Sequence, residues 1–316
     1  MLRSVFCGLT LILAGQVVAG ETTSDAEPIK ILTIGNSFAN NATSFLDEIG
    51  DDAGTPFVIG KANIGGGRME QHASALKKAL TDPEDREGRR YRRFKEDKQR
   101  FNLIERLQAD DWDYVTIQQF SAHSFRPETF EPHGRELIEA VRKYAPDAEI
   151  LVLESWAYRA DHEMFQDGSL NQQSMYEGLH AAYNEFADRY DLRVIPIGTA
   201  FQKARAMPNW RVVVPDPDFD YSDTTQKSLP NERGSLVVGS WWRRNSDTGE
   251  KKLGLDAKHA NDAGCYLGGC TIYELTTGNS AVEIDWKPDG LSQEQAESLR
   301  EAAHQAIEES ASVVVN

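Results

Sequence analysis

The chain has 316 residues, 27% of them charged and 40% hydrophobic, and 34 Lys and Arg against 50 Asp and Glu leave a net charge of −16. Its 24 glycines and 12 prolines are ordinary for a globular protein, which excludes collagen-like and low-complexity classes. The acidic balance gives no net positive field to exchange for phosphate counterions, so no nucleic-acid partner is expected, and a neutral or cationic partner is favoured.

At the amino terminus, Arg3 precedes a mostly apolar stretch over 5–18, with Val17 and Ala19 in the −3 and −1 positions of a cleavage site. This pattern predicts a signal peptide over 1–19 and an exported protein, periplasmic or extracellular. The stretch is too short to span a bilayer, and no later segment approaches that length, so no membrane partner is expected after cleavage. From residue 29 onward, apolar runs and helical patterns alternate. Residues 29–34 (IKILTI) predict a buried parallel strand and 41–51 a helix; 57–62 predict a second strand and 69–80 a second helix. A third strand at 113–117 (DYVTI) precedes a helix at 127–144, and a fourth at 149–153 (EILVL) precedes a long helix at 171–190. A fifth strand is expected at 192–197 (LRVIPI), and helices at 262–276 and 292–310 close the chain, the last opened by a Ser292/Gln295 capping box. The alternation predicts an α/β fold with a parallel sheet covered on both faces, in a single domain over 20–316. Cys265 and Cys270 lie five residues apart in a helical pattern, a poor distance for a bridge, and are read as small buried thiols.

Two excursions interrupt the alternation. Residues 82–100 form a mixed-charge run, read as a solvated loop or hairpin. Residues 207–252 carry four prolines and a β-like stretch, SLVVGSWW, at 235–242. Asp216, Asp218, Asp220 and Asp223 invite a calcium reading, but Tyr221 and Lys227 occupy the positions where an EF-hand loop needs Gly and Glu. No Cys or His spacing suggests zinc, and neither a metal nor a cofactor is expected.

Residues with chemistry collect at the carboxyl ends of the strands, where open parallel sheets bind ligands. The first strand ends in Gly35-Asn36-Ser37-Phe38, which can project a serine hydroxyl over the sheet edge; Gly-Asn-Ser is also an ordinary turn and N-cap. Near the other end of the chain, Asp256 stands three residues before His259 at the expected mouth of a helix. An aspartate so placed can accept from Nδ1–H and leave Nε2 as a base toward a serine. Ile64-Gly65-Gly66-Gly67 closes the second strand with unhindered amides, and Gln118-Gln119 closes the third, where alternation allows only one glutamine to face a site. His72 is read as structural. His123 and Trp156 are each read either as lining the cleft or as packing, and Trp241 and Trp242 either as a sugar platform or as hairpin core.

In order and spacing these blocks resemble the SGNH/GDSL hydrolase superfamily, and most closely a branch known largely as a domain of unknown function, over residues 30–278. The resemblance implies a flavodoxin-like three-layer α/β/α sandwich with a five-stranded parallel sheet. It places the nucleophile at Ser37 and the acid–base pair at Asp256 and His259. It also implies an oxyanion hole made by the amides of Ser37 and Gly66, with Gly67 reachable by a one-residue slip, and a side chain from the third block. The superfamily's usual Gly-x-Asn-Asp is absent there, VTIQQFS standing in its place, and the role passes to Gln118. The function so implied is a secreted serine esterase acting on small acyl esters, acetyl above all, including esters of carbohydrates. Alternatives are an acyltransferase on the same three residues and a non-catalytic carbohydrate-binding protein of the same fold.

Overall fold

A computed structural model of the chain describes residues 26–92 and 98–313, so the expected signal peptide at 1–19 lies outside the described residues. Five strands, β1 (Ile29–Gly35), β2 (Phe57–Asn63), β3 (Tyr114–Ile117), β4 (Glu149–Leu153) and β5 (Arg193–Ile195), form one parallel sheet in the order β2-β1-β3-β4-β5. The apolar runs of β1, β3 and β4 are buried on both faces, as the centre of a parallel sheet between helix layers requires, while Val58 of the edge strand β2 is exposed. In this order the chain reverses its direction of growth between β1 and β3, and the crevice beyond their carboxyl ends is where such sheets bind ligands. The register sets these ends level, with Ile34 beside Ile117 and Gly35 beside Asn63.

Helices α1 (Ser37–Ala42), α2 (Leu46–Asp52), α7 (Ile197–Ala206) and α9 (Gln293–Val313) pack around α8 (Asp262–Thr277) on one side of the sheet. On the other side α3 (Met69–Thr81) packs against α4 (Leu103–Leu107) and α5 (His133–Tyr144), and Phe186 of α6 (Gln172–Tyr190) lies over Gly134 of α5. The result is the expected three-layer sandwich. α8 is buried on nearly all sides, which explains why its sequence is apolar all round. It carries Cys265 and Cys270 as free buried thiols, which burial pushes up to about 11 and about 12.

The structure departs from expectation in five places. The helix expected over 41–51 is two, α1 and α2, separated at 43–45. The fifth strand ends at Ile195, and Pro196 caps a helix, α7, that the apolar run LRVIPI concealed. The helix expected over 127–144 begins only at His133, with Pro132 as its N-cap and a separate 3-10 turn at 127–129. The stretch at 235–242 becomes β6 (Val237–Arg244), paired antiparallel with β7 (Lys251–Ala260) in a hairpin outside the main sheet. Asp256 and His259 therefore stand on a strand; α8 starts two residues further on, where the Asn261 carboxamide oxygen accepts from the Gly264 N–H at 3.1 Å. Finally, the 82–100 excursion is not wholly solvated. Tyr91 and Phe101 exchange backbone hydrogen bonds of 3.0 and 2.8 Å, and the Tyr91 side chain is fully buried.

That burial reaches the end of β1. His72 Nε2–H donates to the Gly35 carbonyl at 3.0 Å, and Nδ1 accepts from the Tyr91 hydroxyl at 2.9 Å. Burial pulls the His72 pKa down to about 4, outweighing the Gly35 carbonyl, so the imidazole is neutral in the folded state at neutral pH. Behind α1, Trp156 stacks between Phe38 (4.2 Å) and Phe201 (4.5 Å) and is fully buried, so it packs the core.

Two stability measurements follow from this packing. Trp156→Ala should lower the unfolding free energy by about 3–5 kcal/mol, read by chemical denaturation; a loss below 1 kcal/mol would mean that the stack carries little. His72 binds its proton far more readily in the unfolded chain, so the stability it supports above its ordinary pKa is lost as the pH falls from about 6.5 to about 4. Relative to a His72→Gln variant, the wild type should therefore lose up to about 3 kcal/mol across that window.

Candidate active site

The end of β1 is shaped by Asn36. Its extended backbone makes it the N-cap of α1, where its side-chain oxygen accepts from the Phe38 N–H at 3.0 Å. Its amide nitrogen donates to the Gly67 carbonyl at 3.1 Å, tying the loop after β2 to the loop after β1. Ser37 is thus the first helical residue, with an N–H that has no partner within α1. Its hydroxyl, half-buried, lies 2.8 Å from His259 Nε2.

At the end of β7, Asp256 accepts at one carboxylate oxygen from the backbone N–H groups of Lys258 (3.2 Å) and His259 (3.0 Å), and at the other from His259 Nδ1–H at 2.7 Å. Partial burial alone would push this carboxyl up, but the His259 backbone N–H, the imidazole and the Lys258 N–H together hold it below the usual carboxylate range. The carboxylate selects the tautomer with Nδ1–H, which leaves Nε2 free to accept from the Ser37 hydroxyl. Ser37 and, 222 positions on, His259 with its neighbour Asp256 therefore form one line of hydrogen bonds. The segment after β4 steadies that line: the Trp156 indole donates to the Lys258 carbonyl at 2.8 Å, and the Arg159 backbone N–H to the Ala257 carbonyl at 2.8 Å. Arg159 is itself clamped between Asp161 (2.7 Å) and Glu232 (2.6 Å).

The loops after β2 and β3 supply further donors. The Gly67 N–H closes a tight turn onto the Ile64 carbonyl at 2.7 Å, which removes Gly67 as a free donor and puts Gly66 in the left-handed region at φ +62°. Gly66 is exposed, and among the described residues its N–H has no acceptor. The two glutamines separate cleanly. Gln119 is fully engaged, accepting from the N–H groups of Met69 (3.1 Å) and Phe120 (2.8 Å) and donating to the Thr129 carbonyl at 2.7 Å. Gln118 accepts from the Asn36 N–H at 3.4 Å, which orients its carboxamide and leaves Nε2 buried without a partner. The side chain lies so close to β1 that a Cβ on Gly35 would come within 2.9 Å of its oxygen. An unpartnered buried donor is costly in a folded protein.

Other candidates lie elsewhere. His72 sits beneath the site, in the chain of bonds to Gly35 described above. His123 is half-buried in the loop after β3, where burial and the charges of Arg68 and Arg126 hold its pKa down, and no contact joins it to Ser37 or His259 among the described residues. Asp216, Asp220 and Asp223 accept from backbone N–H groups two residues ahead in a chain of local turns, and no group of residues suited to a metal occurs among the described residues. Sequence reasoning missed the roles of Asn36, Arg159 and Glu232. Asn36 could have been found from its cap position in Gly-Asn-Ser-Phe; the Arg159–Glu232 pair carries no local signal, because the two residues are 73 positions apart.

Comparison with known proteins places the chain in a family. No match was found among curated proteins. Among solved structures, the chain is similar to a DUF4886 family protein from Bacteroides uniformis, with 24% identity, a TM-score of 0.65, and coverage of 89% of this chain and 95% of that one. It is also similar, more distantly, to a candidate SGNH hydrolase from Slackia heliotrinireducens (18% identity, TM-score 0.48, 79% and 100% covered). A third similar structure is the acetyl xylan esterase AlAXEase (15% identity, TM-score 0.46, 78% and 99% covered). The family model for DUF4886, a domain of unknown function, matches residues 30–224, a span that includes Ser37, Gly66 and Gln118 and stops short of Asp256 and His259. The chain belongs to the DUF4886 family.

Proposed function

We propose that this protein is an exported serine esterase that hydrolyses small acyl esters, acetyl esters of carbohydrates among them. The observation that carries the reading is the unbroken line from the Asp256 carboxylate through His259 to the Ser37 hydroxyl, at 2.7 and 2.8 Å, at the switch point of the sheet. In this mechanism His259 Nε2 takes the Ser37 proton as Oγ attacks the ester carbonyl, and Asp256 stabilises the imidazolium. The tetrahedral oxyanion is met by the N–H groups of Ser37 and Gly66 and by the unpartnered Gln118 Nε2. Collapse breaks the ester C–O bond, the imidazolium returns the proton to the departing alcohol, and water then repeats the sequence to release the acid and free Ser37. An alcohol in place of water at the second step would make the same site a transferase; product analysis with added alcohol or sugar separates the two. The export signal read at 1–19 supports a periplasmic or extracellular location, which cell fractionation tests.

Ser37→Ala should abolish turnover of p-nitrophenyl acetate with an unchanged circular dichroism spectrum; surviving activity would remove Ser37 as nucleophile. Asp256→Asn should lower kcat on the order of 10⁴-fold through loss of tautomer control. Gln118→Ala should cost about 10²–10³-fold in kcat with little effect on KM, the pattern of a donor that acts in the transition state; a pure KM effect would make Gln118 a ground-state contact.

A further inference from the structure

Both tryptophans at 241 and 242 lie on the hairpin, and their surroundings differ. Trp242 is committed to its own protein: its indole donates to the Ser228 carbonyl at 2.8 Å, the Lys251 ammonium lies 4.0 Å from its ring centre, and Phe219 packs beside it. Trp241 has no such partner. It is 41% exposed, and among the described residues no ring stacks on it and no acceptor takes its Nε1–H. The large buried tryptophans show the contrast, with Trp112, Trp156 and Trp210 at 6, 0 and 2% exposure.

The position of the Trp241 ring is fixed by a glycine. Trp241 pairs with Gly254 across the hairpin, and a Cβ on Gly254 would lie 2.8–2.9 Å from the indole carbons, so the ring rests directly on the β7 backbone. Side chains two apart on a strand share a face. The face of β7 that the indole covers at Gly254 is therefore the one to which Asp256 points, about 7 Å further along the strand. Asp256 leads to His259 and on to Ser37. The next pair in the other direction, Arg243 and Lys252, is exposed and brings hydrogen-bond donors to the far edge of the ring.

We propose that the Trp241 indole, seated on Gly254, is a binding subsite for a sugar ring of an acylated oligosaccharide whose ester group lies at Ser37. A flat aromatic face with donors at its rim matches a pyranose, which presents apolar C–H groups on its faces and hydroxyls around its edge. The proposal rests on the esterase reading for the position of the ester, while the platform itself can be tested without turnover.

The test uses the full mature chain with three substrates: acetylated xylotetraose, acetylated cellotetraose and p-nitrophenyl acetate. Trp241→Ala should raise KM for at least one tetrasaccharide about tenfold, the scale of one lost stacking contact, with kcat and p-nitrophenyl acetate turnover within about twofold of wild type. Trp241→Phe should restore most of the loss, and Gly254→Val, which displaces the ring, should reproduce it. Unchanged tetrasaccharide KM values in Trp241→Ala, or an equal loss on all three substrates, would overturn the platform. If the wild type cleaves no ester, the esterase reading fails, and the platform is then read by calorimetric titration of the Ser37→Ala protein with each tetrasaccharide. Binding that Trp241→Ala abolishes supports it; absent binding, or binding indifferent to Trp241, overturns it. A concentration-dependent dimer that Trp241→Ala dissociates in sedimentation would assign the face to a second copy and also overturn it.

Discussion

The carbonyl oxygens of Ala257 and Lys258 accept hydrogen bonds from the Arg159 backbone and the Trp156 indole, at 2.8 Å each, and these two bonds fix where the His259 imidazole can lie. β7 belongs to no part of the main sheet, so its end needs an external reference. It takes that reference from the segment after β4, which continues a fully buried strand and is held by the stack of Phe38, Trp156 and Phe201. Phe38 follows Ser37 directly, so one aromatic stack sits behind both the hydroxyl and the strap that carries His259. Each such bond has a modest net worth of about 1 kcal/mol, but a buried group left unpaired costs more, and that asymmetry keeps the strap in one place.

Much of this architecture was legible in the sequence because the relevant signals are local. All five sheet strands are legible as short apolar runs within about two residues of their observed ends, and the serine after Gly35-Asn36 sits where a strand-to-helix turn must place it. The Asp-x-x-His spacing also survived, although on a strand: the alternation of Leu253, Leu255 and Ala257 with Gly254 and Asp256 has the period of a strand and went unread beside the stronger helical pattern that follows. Choosing between Gln118 and Gln119 was beyond the sequence, since alternation says only that they diverge. The difference comes from Met69 and Thr129, which engage Gln119 from elements that are remote in the chain. Likewise, nothing in a mixed-charge run at 82–100 marks Tyr91 as the residue that turns inward.

The two excursions support the two ends of the reactive line. The first sends Tyr91 under β1, where it reaches Gly35 through the neutral His72. The second supplies β6, which pairs with the strand on which Asp256 and His259 stand. The sheet provides a common edge, and the insertions decide how the groups above it are held.

The Glu232 carboxylate joins the Arg159 guanidinium on one side and the Ser240 N–H and hydroxyl on the other, at 2.6–2.9 Å. It therefore rivets the root of the hairpin to the same segment that suspends His259. Anchorage and variability are separated along one ribbon: the distal turn at 245–250 can lengthen, shorten or change composition while the root stays in register. Such a ribbon tolerates change at its tip without shifting the alignment of His259.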